Sequence, residues 1–203
     1  MTRPPIQLYL ASASPRRQAL LRQIGIHFTV IDGEVEESVM PEESAESYVR
    51  RIALAKAQRG WELLPVAQRT APVLGADTEV VIETDVLGKP RDAAHASAML
   101  ARLSGRTHRV LSAVAVVDDA QQQVIVQENL VTMRAISTHE CAAYWASGEP
   151  QGKAGGYAVQ GLGAVFIERL VGSYSGVMGL PLFETAKLLQ AFGIDLWPKD
   201  MPT

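Results

Sequence analysis

The sequence has few of the features that tie a chain to disulfides, membranes or polyanions. Its single cysteine, Cys141, excludes an intramolecular disulfide and fits a reducing compartment. No uninterrupted apolar run approaches the roughly 20 residues that span a bilayer, and the first residues lack the layout of a signal peptide. The net charge of −3 gives no sign of a nucleic-acid partner. We therefore expect a cytoplasmic protein that binds neither nucleic acid nor a membrane.

Several familiar signatures of nucleotide and hydrolase chemistry are also missing. The chain has no GxxxxGK[ST] sequence, no strand followed by GxGxxG and a helix, and no GxSxG. These absences exclude a P-loop, a Rossmann dinucleotide site and a nucleophile elbow. The four histidines are scattered without the spacing of metal ligands: His27, His95, His108 and His139.

The pattern that is present is typical of an α/β domain. With 203 residues, 47% of them hydrophobic, the chain fits one domain, residues 1–203, with an ample core. Strands and helices mix without strict alternation, which predicts a mixed sheet with flanking helices. Residues 108–118 and 123–136 predict a hairpin of two long strands. We expect Gly60 to end a helix and Gly75 to interrupt a strand.

The stretch SASPRR places two arginines in the first turn of a predicted helix. Ser14 is a favourable N-cap, and Pro15 occupies the first helical position, where proline is tolerated. Arg16 and Arg17 then add positive charge to a helix end that is already positive. A solvated basic patch explains this arrangement, and so does an anion site in which two guanidiniums and free backbone N–H groups bind phosphate.

Two lysines are further candidates for phosphate binding. Lys56 shares a helical stripe with apolar residues, so it either snorkels to the helix edge or lies at the rim of a cleft. Lys89 stands between a glycine and a proline, which restricts the backbone around one charge and is equally typical of a turn.

Carboxylates occur at two places that suit catalysis. Asp77 follows Gly75 within a predicted strand, and an acidic loop contains Glu34, Glu36 and Glu37. Such a loop is usually solvated, but a carboxylate from it could join Asp77 to hold Mg²⁺, which proteins bind through one or two carboxylates plus substrate phosphate.

The segment GKAGGYAVQGLG is too rich in glycine to form regular structure throughout. Glycines allow the backbone to approach a ligand closely, and Gln160 offers both a hydrogen-bond donor and an acceptor. These properties suit the reading of a base edge.

Taken in order, these motifs resemble the Maf family of nucleoside triphosphate pyrophosphatases. The resemblance runs from about residue 8 to residue 189 and is carried by SASPRR, GADT, GKP, LSGRTHRV, GKAGGYAVQGLG and GSYSGVMGLPL. It implies a Maf/ITPase-like α/β fold, with a mixed twisted sheet, flanking helices and two lobes around a cleft. It also implies hydrolysis of a nucleoside triphosphate to the monophosphate and pyrophosphate, with Mg²⁺ or Mn²⁺.

The resemblance further implies roles for particular residues. The family's proton acceptor corresponds to Asp77, and its specificity positions to Arg16, Thr78 and Gln160. The Asp77–Thr78 pair and Gln160 are similar to the branch that acts on dTTP and UTP, whereas the 7-methyl-GTP branch carries Asp-Gln and Glu. Glu79 is a departure, because the family usually has an apolar residue there.

The remaining roles concern phosphate and metal. The triphosphate is expected to lie across Ser14, Arg17, Lys56 and Lys89, together with Arg16. The metal-binding acidic residue corresponds most naturally to Glu36, with Glu34 and Glu37 close enough in sequence to serve instead. A metal held by Glu36 and Asp77 would assist Asp77 in activating the water that attacks the α-phosphorus.

Two other functions remain open at this point. The family resemblance also suggests a regulatory protein that binds nucleotide and arrests septum formation. A 7-methyl-GTP pyrophosphatase is disfavoured by Thr78 and Gln160. The sequence also leaves open a homodimer, the preferred metal, and whether the substrates are ordinary or modified pyrimidine nucleotides.

Overall fold

A computed structural model describes residues 6–197 of the protein. The strands are β1 (Leu8–Leu10), β2 (Phe28–Val30), β3 (Val73–Ile82), β4 (Asp85–Leu87), β5 (Thr107–Val117), β6 (Gln122–Met133) and β7 (Ile167–Val171). The α-helices are α1 (Pro15–Gln23), α2 (Ala45–Leu63), α3 (Ala93–Leu103), α4 (Thr138–Ala146), α5 (Tyr174–Met178) and α6 (Leu182–Ala191). None of the helices within residues 6–197 is both long and apolar enough to cross a membrane.

The strands form one mixed sheet. Six of its seven strands follow the order β2-β1-β3-β5-β6-β7, and β4 pairs with β3 outside this path. Strand β1 is parallel to β2 and β3, whereas β3, β5, β6 and β7 pair antiparallel in succession. The predicted α/β class, the mixed sheet with flanking helices and the β5–β6 hairpin are therefore confirmed; the single domain over residues 1–203 stays a prediction.

Strand β3 separates two packed layers because its side chains alternate between the faces of the sheet. On one face, Val73 and Val81 pack with the buried residues of α2, among them Ala53 and Ala57. On the other face, Leu74 packs with residues of α1 and α6. The odd-numbered residues of β3 therefore face α2, and the even-numbered residues face the opposite layer.

The predicted role of two glycines as breakers was wrong. Gly75 lies inside the continuous strand β3, and Gly60 lies inside α2. A Cβ on Gly75 would lie 2.5 Å from the Ala57 nitrogen of α2. A Cβ on Gly60 would lie 3.0 Å from a methyl group of Val73. These glycines let α2 pack directly against β3, and that close approach explains why glycine occupies both positions.

Two short helices lie close to strand β7. A 3₁₀ helix, Leu162–Phe166, leads directly into β7. The short helix α5 follows β7 and begins where the Ser173 hydroxyl accepts a hydrogen bond from the Gly176 N–H.

Candidate active site

A cavity of about 510 Å³ opens where the start of α1, helix α2 and strand β3 meet. Most of the residues singled out from the sequence line it: Ser14, Arg16, Arg17, Lys56, Asp77, Thr78 and Lys89. Residues 152–154 of the glycine-rich segment and residues of the acidic loop complete the lining. The fold thus brings together positions that lie far apart along the chain.

A chain of alternating charges crosses this cavity. The ammonium of Lys56 lies 2.8 Å from Asp77 Oδ1 and 2.6 Å from Glu37 Oε1. Glu37 Oε2 in turn lies 2.8 Å from the ammonium of Lys89. The Lys56 side chain is only 12% exposed, so it points into the site and does not snorkel. The close packing of α2 at Gly75 brings Lys56 to the carboxylate two positions further along β3.

The acidic loop reaches the site through Glu37 and Glu34, not through Glu36. Glu37 and Glu34 line the cavity, whereas Glu36 lies outside that lining. Burial alone would raise the pKa of Glu37, but hydrogen bonds and charges from Lys56 and Lys89 outweigh it and lower the pKa to about 2. Glu37 is therefore ionised at neutral pH, and the role in metal binding expected for Glu36 stays a prediction.

Two carboxyl oxygens in the site are buried without a hydrogen-bond partner. They are Asp77 Oδ2 and Glu79 Oε2, on the same face of β3. Burial, followed by the charges of Asp77 and Glu37, raises the pKa of Glu79 to about 8. Unpaired buried carboxyl oxygens beside a cavity are costly unless a ligand or water meets them.

This donor set fits a hard divalent cation whose ligands come partly from the protein and partly from the substrate. Carboxylate oxygens are the ligands that Mg²⁺ prefers, usually one or two of them together with phosphate oxygens and water. Within residues 6–197, no group of three or more His, Cys, Asp or Glu side chains is arranged to hold a metal. Asp77, with Glu37 or Glu79, would therefore supply only part of the coordination shell, and phosphate would have to complete it.

The guanidinium of Arg17 is held by acceptors of the protein itself. Its Nε donates to the Gly179 carbonyl at 2.9 Å, and Nη1 donates to Ser12 Oγ at 3.2 Å. A longer contact of 3.5 Å joins Nη2 to Thr78 Oγ1. Burial lowers the pKa of Arg17. Neutral acceptors thus stabilise a cation at a helix terminus that would otherwise repel it.

The hydroxyl proton of Thr78 is already donated in a hydrogen bond within the protein. The Ser112 hydroxyl has one proton and donates it to the Gly176 carbonyl at 2.7 Å. The hydrogen bond of 3.1 Å between the two hydroxyls must therefore be donated by Thr78 and accepted by Ser112. Thr78 Oγ1 consequently faces the cavity as an acceptor only.

A shallower groove continues from the cavity to Gln160. Ser14, Arg16 and Lys153 line both spaces, whereas Gln160 lines only the groove. Burial lowers the pKa of Lys153, and the nearby positive charge of Arg16 lowers it further. Two neighbouring cations at the junction favour an anion between them.

Comparison with known proteins agrees with this geometry. The family model described as Maf-like protein matches residues 7–192. The chain belongs to the Maf family.

Curated relatives cover almost the whole of this Maf chain. A dTTP/UTP pyrophosphatase of Alkalilimnicola ehrlichii is 53% identical, over 93% of this chain and 94% of the relative. One from Saccharophagus degradans is 51% identical, over 96% and 93%, and one from Pasteurella multocida is 45% identical, over 94% and 98%. Among solved structures, the Staphylococcus aureus Ham1 protein aligns with a TM-score of 0.45 and 14% identity, over 63% of this chain and 71% of that chain.

Sequence reasoning missed two residues of this Maf site. Lys153 belongs to the glycine-rich segment that the sequence singled out, but only the fold places it beside Arg16. Ser112 lies in β5 among apolar residues, and no local pattern sets it apart. Its role follows from its register opposite Thr78 in the β3–β5 pair.

Proposed function

We propose that this Maf protein hydrolyses dTTP and UTP to the monophosphate and pyrophosphate. The observation that carries the proposal is Asp77: buried beside a cavity rimmed with cations, one oxygen held by Lys56 and the other unpartnered. Relatives named dTTP/UTP pyrophosphatase, from 45% to 53% identical over more than nine tenths of the chain, support the same activity.

The phosphates are bound by cations of two kinds. Arg16 and Lys153 at the junction are open to a ligand, and so is Lys89, which pairs with Glu37 but has a side chain 59% exposed. Arg17 and Lys56 are already held by protein acceptors, so they contribute mainly fixed positive charge. The backbone N–H groups at the start of α1, where Ser14 is the N-cap, add the favourable end of a helix dipole.

Asp77 accepts the proton of the attacking water. Lys56 binds Oδ1 and so fixes the carboxylate, which leaves Oδ2 free for the water. Mg²⁺ or Mn²⁺, held by Asp77 with Glu37 or Glu79, would neutralise phosphate charge and lower the pKa of a bound water. Glu36, the ligand favoured from sequence, lies outside the cavity lining and is a weaker candidate.

The selectivity for uracil and thymine follows from hydrogen-bond polarity. Both bases present an N–H between two carbonyl groups, whereas cytosine has an unprotonated nitrogen at that place. Thr78 can only accept a hydrogen bond, so it matches the N–H and not the bare nitrogen. Gln160 can both donate and accept, and it serves the carbonyl groups from the groove.

We also propose the setting in which the enzyme works. It acts in the cytoplasm on a free nucleotide, with neither nucleic acid nor a membrane as partner. A homodimer is compatible with this activity and is not required by it, because the candidate residues described above come from one chain.

The test is pyrophosphate release from a panel of dTTP, UTP, CTP, GTP and 7-methyl-GTP. We expect turnover of dTTP and UTP well above the rest, and a fall of about 1,000-fold in kcat for Asp77→Asn. Near wild-type turnover by Asp77→Asn would remove Asp77 as the proton acceptor. Tight nucleotide binding by the wild type without pyrophosphate release would favour the nucleotide-binding regulator.

A further inference from the structure

Gln160 is an exposed residue within an irregular segment. Side chains from outside the segment form hydrogen bonds with its backbone on both sides of Gln160. Residues 155–159 on one side are buried, and Gly163 on the other side is buried as well. Backbone N–H groups in such a segment need partners that no helix or sheet supplies. Two side chains outside the segment, Tyr144 and Glu149, accept hydrogen bonds from three of them, the N–H groups of Ala158, Leu162 and Gly163.

Tyr144 holds the flank before Gln160. Its hydroxyl accepts a hydrogen bond of 3.0 Å from the Ala158 N–H and donates one of 2.7 Å to Glu149 Oε1. Tyr144 is 4% exposed, and its ring packs edge-on against Phe166 with centroids 5.2 Å apart. Burial, with the hydrogen bond to Glu149, raises the pKa of Tyr144, so the phenol keeps its proton.

Glu149 holds the flank after Gln160. Its Oε2 accepts from the Leu162 N–H at 2.8 Å, and its Oε1 accepts from the Gly163 N–H at 2.9 Å. Burial would raise the pKa of Glu149, but the hydrogen bonds from Gly163, Tyr144 and Leu162 outweigh it, and the pKa is lowered. The carboxylate is therefore ionised when it binds the two N–H groups.

The glycines beside Gln160 are required by this contact. Gly161 has φ +125°, and a Cβ there would collide with the Glu149 carboxylate, 2.8 Å from its Cδ. A Cβ on Gly163 would lie 3.1 Å from Cζ of Tyr144. The backbone on both sides of Gln160 is thus pressed directly against the two side chains.

We propose that Tyr144 and Glu149 form a clamp that sets the position of Gln160 for pyrimidine recognition. Both are positioning residues: they act through the loop backbone and lie outside the lining of the cavity and the groove. A preorganised amide loses less conformational entropy when the base binds, so the clamp increases affinity for the matching base. The inference rests on the proposed function, because the discrimination between bases is what the clamp serves.

The test is a double-mutant cycle on base selectivity. Tyr144→Phe removes only the hydroxyl, and Glu149→Gln keeps the shape of the side chain but removes its charge. Each is made in the wild type and in a Gln160→Ala background, and kcat and KM are measured for UTP and CTP. Tyr174→Phe and Glu168→Gln, both at exposed positions, are the matched controls.

We expect each clamp variant to lower the ratio of kcat/KM for UTP over CTP about five-fold, mainly through a higher KM for UTP. In the Gln160→Ala background the same substitutions should leave the ratio unchanged. An unchanged ratio in the wild-type background would overturn the proposal, and so would an equal fall in both backgrounds. If Glu149→Gln fails to fold, Tyr144→Phe, which keeps the carboxylate, carries the test.

A binding measurement separates failure of the clamp from failure of the proposed function. Calorimetry of UTP and CTP with Asp77→Asn reports base preference without turnover. If the wild type releases no pyrophosphate, the hydrolytic function fails, yet a loss of UTP preference on adding Tyr144→Phe still supports the clamp. A preference unaffected by Tyr144→Phe overturns the clamp whether or not the wild type is active.

Discussion

The two sides of the site are built in different ways. On the side formed by α2 and β3, charged side chains on regular elements pair with one another, as Lys56 does with Asp77 and Glu37. On the side formed by the glycine-rich segment, side chains hold backbone N–H groups, as Tyr144 and Glu149 do. In the proposed mechanism, the first arrangement concentrates charge at the reacting phosphate, and the second sets the shape of a recognition surface. We therefore expect rate and base selectivity to be separable by mutation.

The largest effect should follow from removing the cation between the two carboxylates. Lys56→Met leaves Asp77 and Glu37 without their shared partner, so we expect kcat for UTP to fall about 100-fold. The free energy of unfolding should fall by about 3 kcal/mol, because a largely buried charge pair loses one member. Kinetics and urea unfolding measure these two changes.

An exposed ion pair provides the comparison for this variant. Arg109→Met breaks the pair with Glu128 on the surface of the β5–β6 hairpin, and we expect it to cost less than about 1 kcal/mol. Equal losses of unfolding free energy in the two variants would show that the ion pairs in the cavity contribute no more to stability than an exposed pair does.

The glycine-rich side should respond to pH through His108. Its Nε2 lies 2.7 Å from the Tyr157 hydroxyl, and burial lowers the pKa of the imidazole to about 4. The unfolded chain binds a proton near pH 6.5 while the folded protein does not, so stability falls as pH decreases from about 6.5 to 4. The full loss is about 3 kcal/mol.

Urea unfolding between pH 4 and pH 7 measures this dependence. His108→Gln should flatten the part of the profile that belongs to this imidazole. A profile as steep in His108→Gln as in the wild type would assign the acid sensitivity to other groups.

The α2–β3 contact should be sensitive to a single methyl group. Gly75→Ala forces α2 away from β3, and we expect a loss of about 2 kcal/mol in unfolding free energy together with a lower kcat, because Lys56 moves from Asp77. Gly88→Ala is the matched change, since a Cβ at Gly88 meets nothing within 4 Å. If both variants are equally stable, the close approach at Gly75 is not a constraint.

The smallest effect concerns the polarity of one hydroxyl. Ser112→Ala frees the proton of Thr78, which can then donate to the unprotonated nitrogen of cytosine. We expect the ratio of kcat/KM for UTP over CTP to fall about three-fold. An unchanged ratio, with a normal fold by circular dichroism, would mean that Thr78 does not read the base.

The kind of chemistry at the site was more predictable from sequence than the exact set of residues that line it. Residue types at recognisable positions, such as Ser14 before a helix and Asp77 in a buried strand, indicated phosphate and carboxylate chemistry. That Glu34 and Glu37 line the cavity while Glu36 does not was not predictable, because an irregular loop has no periodicity that fixes which side chain faces inward. Lys153 could not be assigned for the same reason.

The glycines show a second limit of the sequence. Gly60 and Gly75 were expected to break elements, because glycine is unfavourable inside helices and strands. Both lie within elements at the contact between α2 and β3, where any side chain would be too large. The choice between a breaker and a close contact depends on a neighbour that is distant in sequence, so local patterns cannot make it.

The most direct test of the division between the two sides is the base preference of Asp77→Asn. Calorimetry would compare its affinities for UTP and CTP with those of the wild type under conditions without turnover. The account predicts that Asp77→Asn keeps the preference for UTP while its pyrophosphate release falls about 1,000-fold. Loss of the preference together with the rate would contradict the account, because rate and selectivity would then come from one undivided set of contacts.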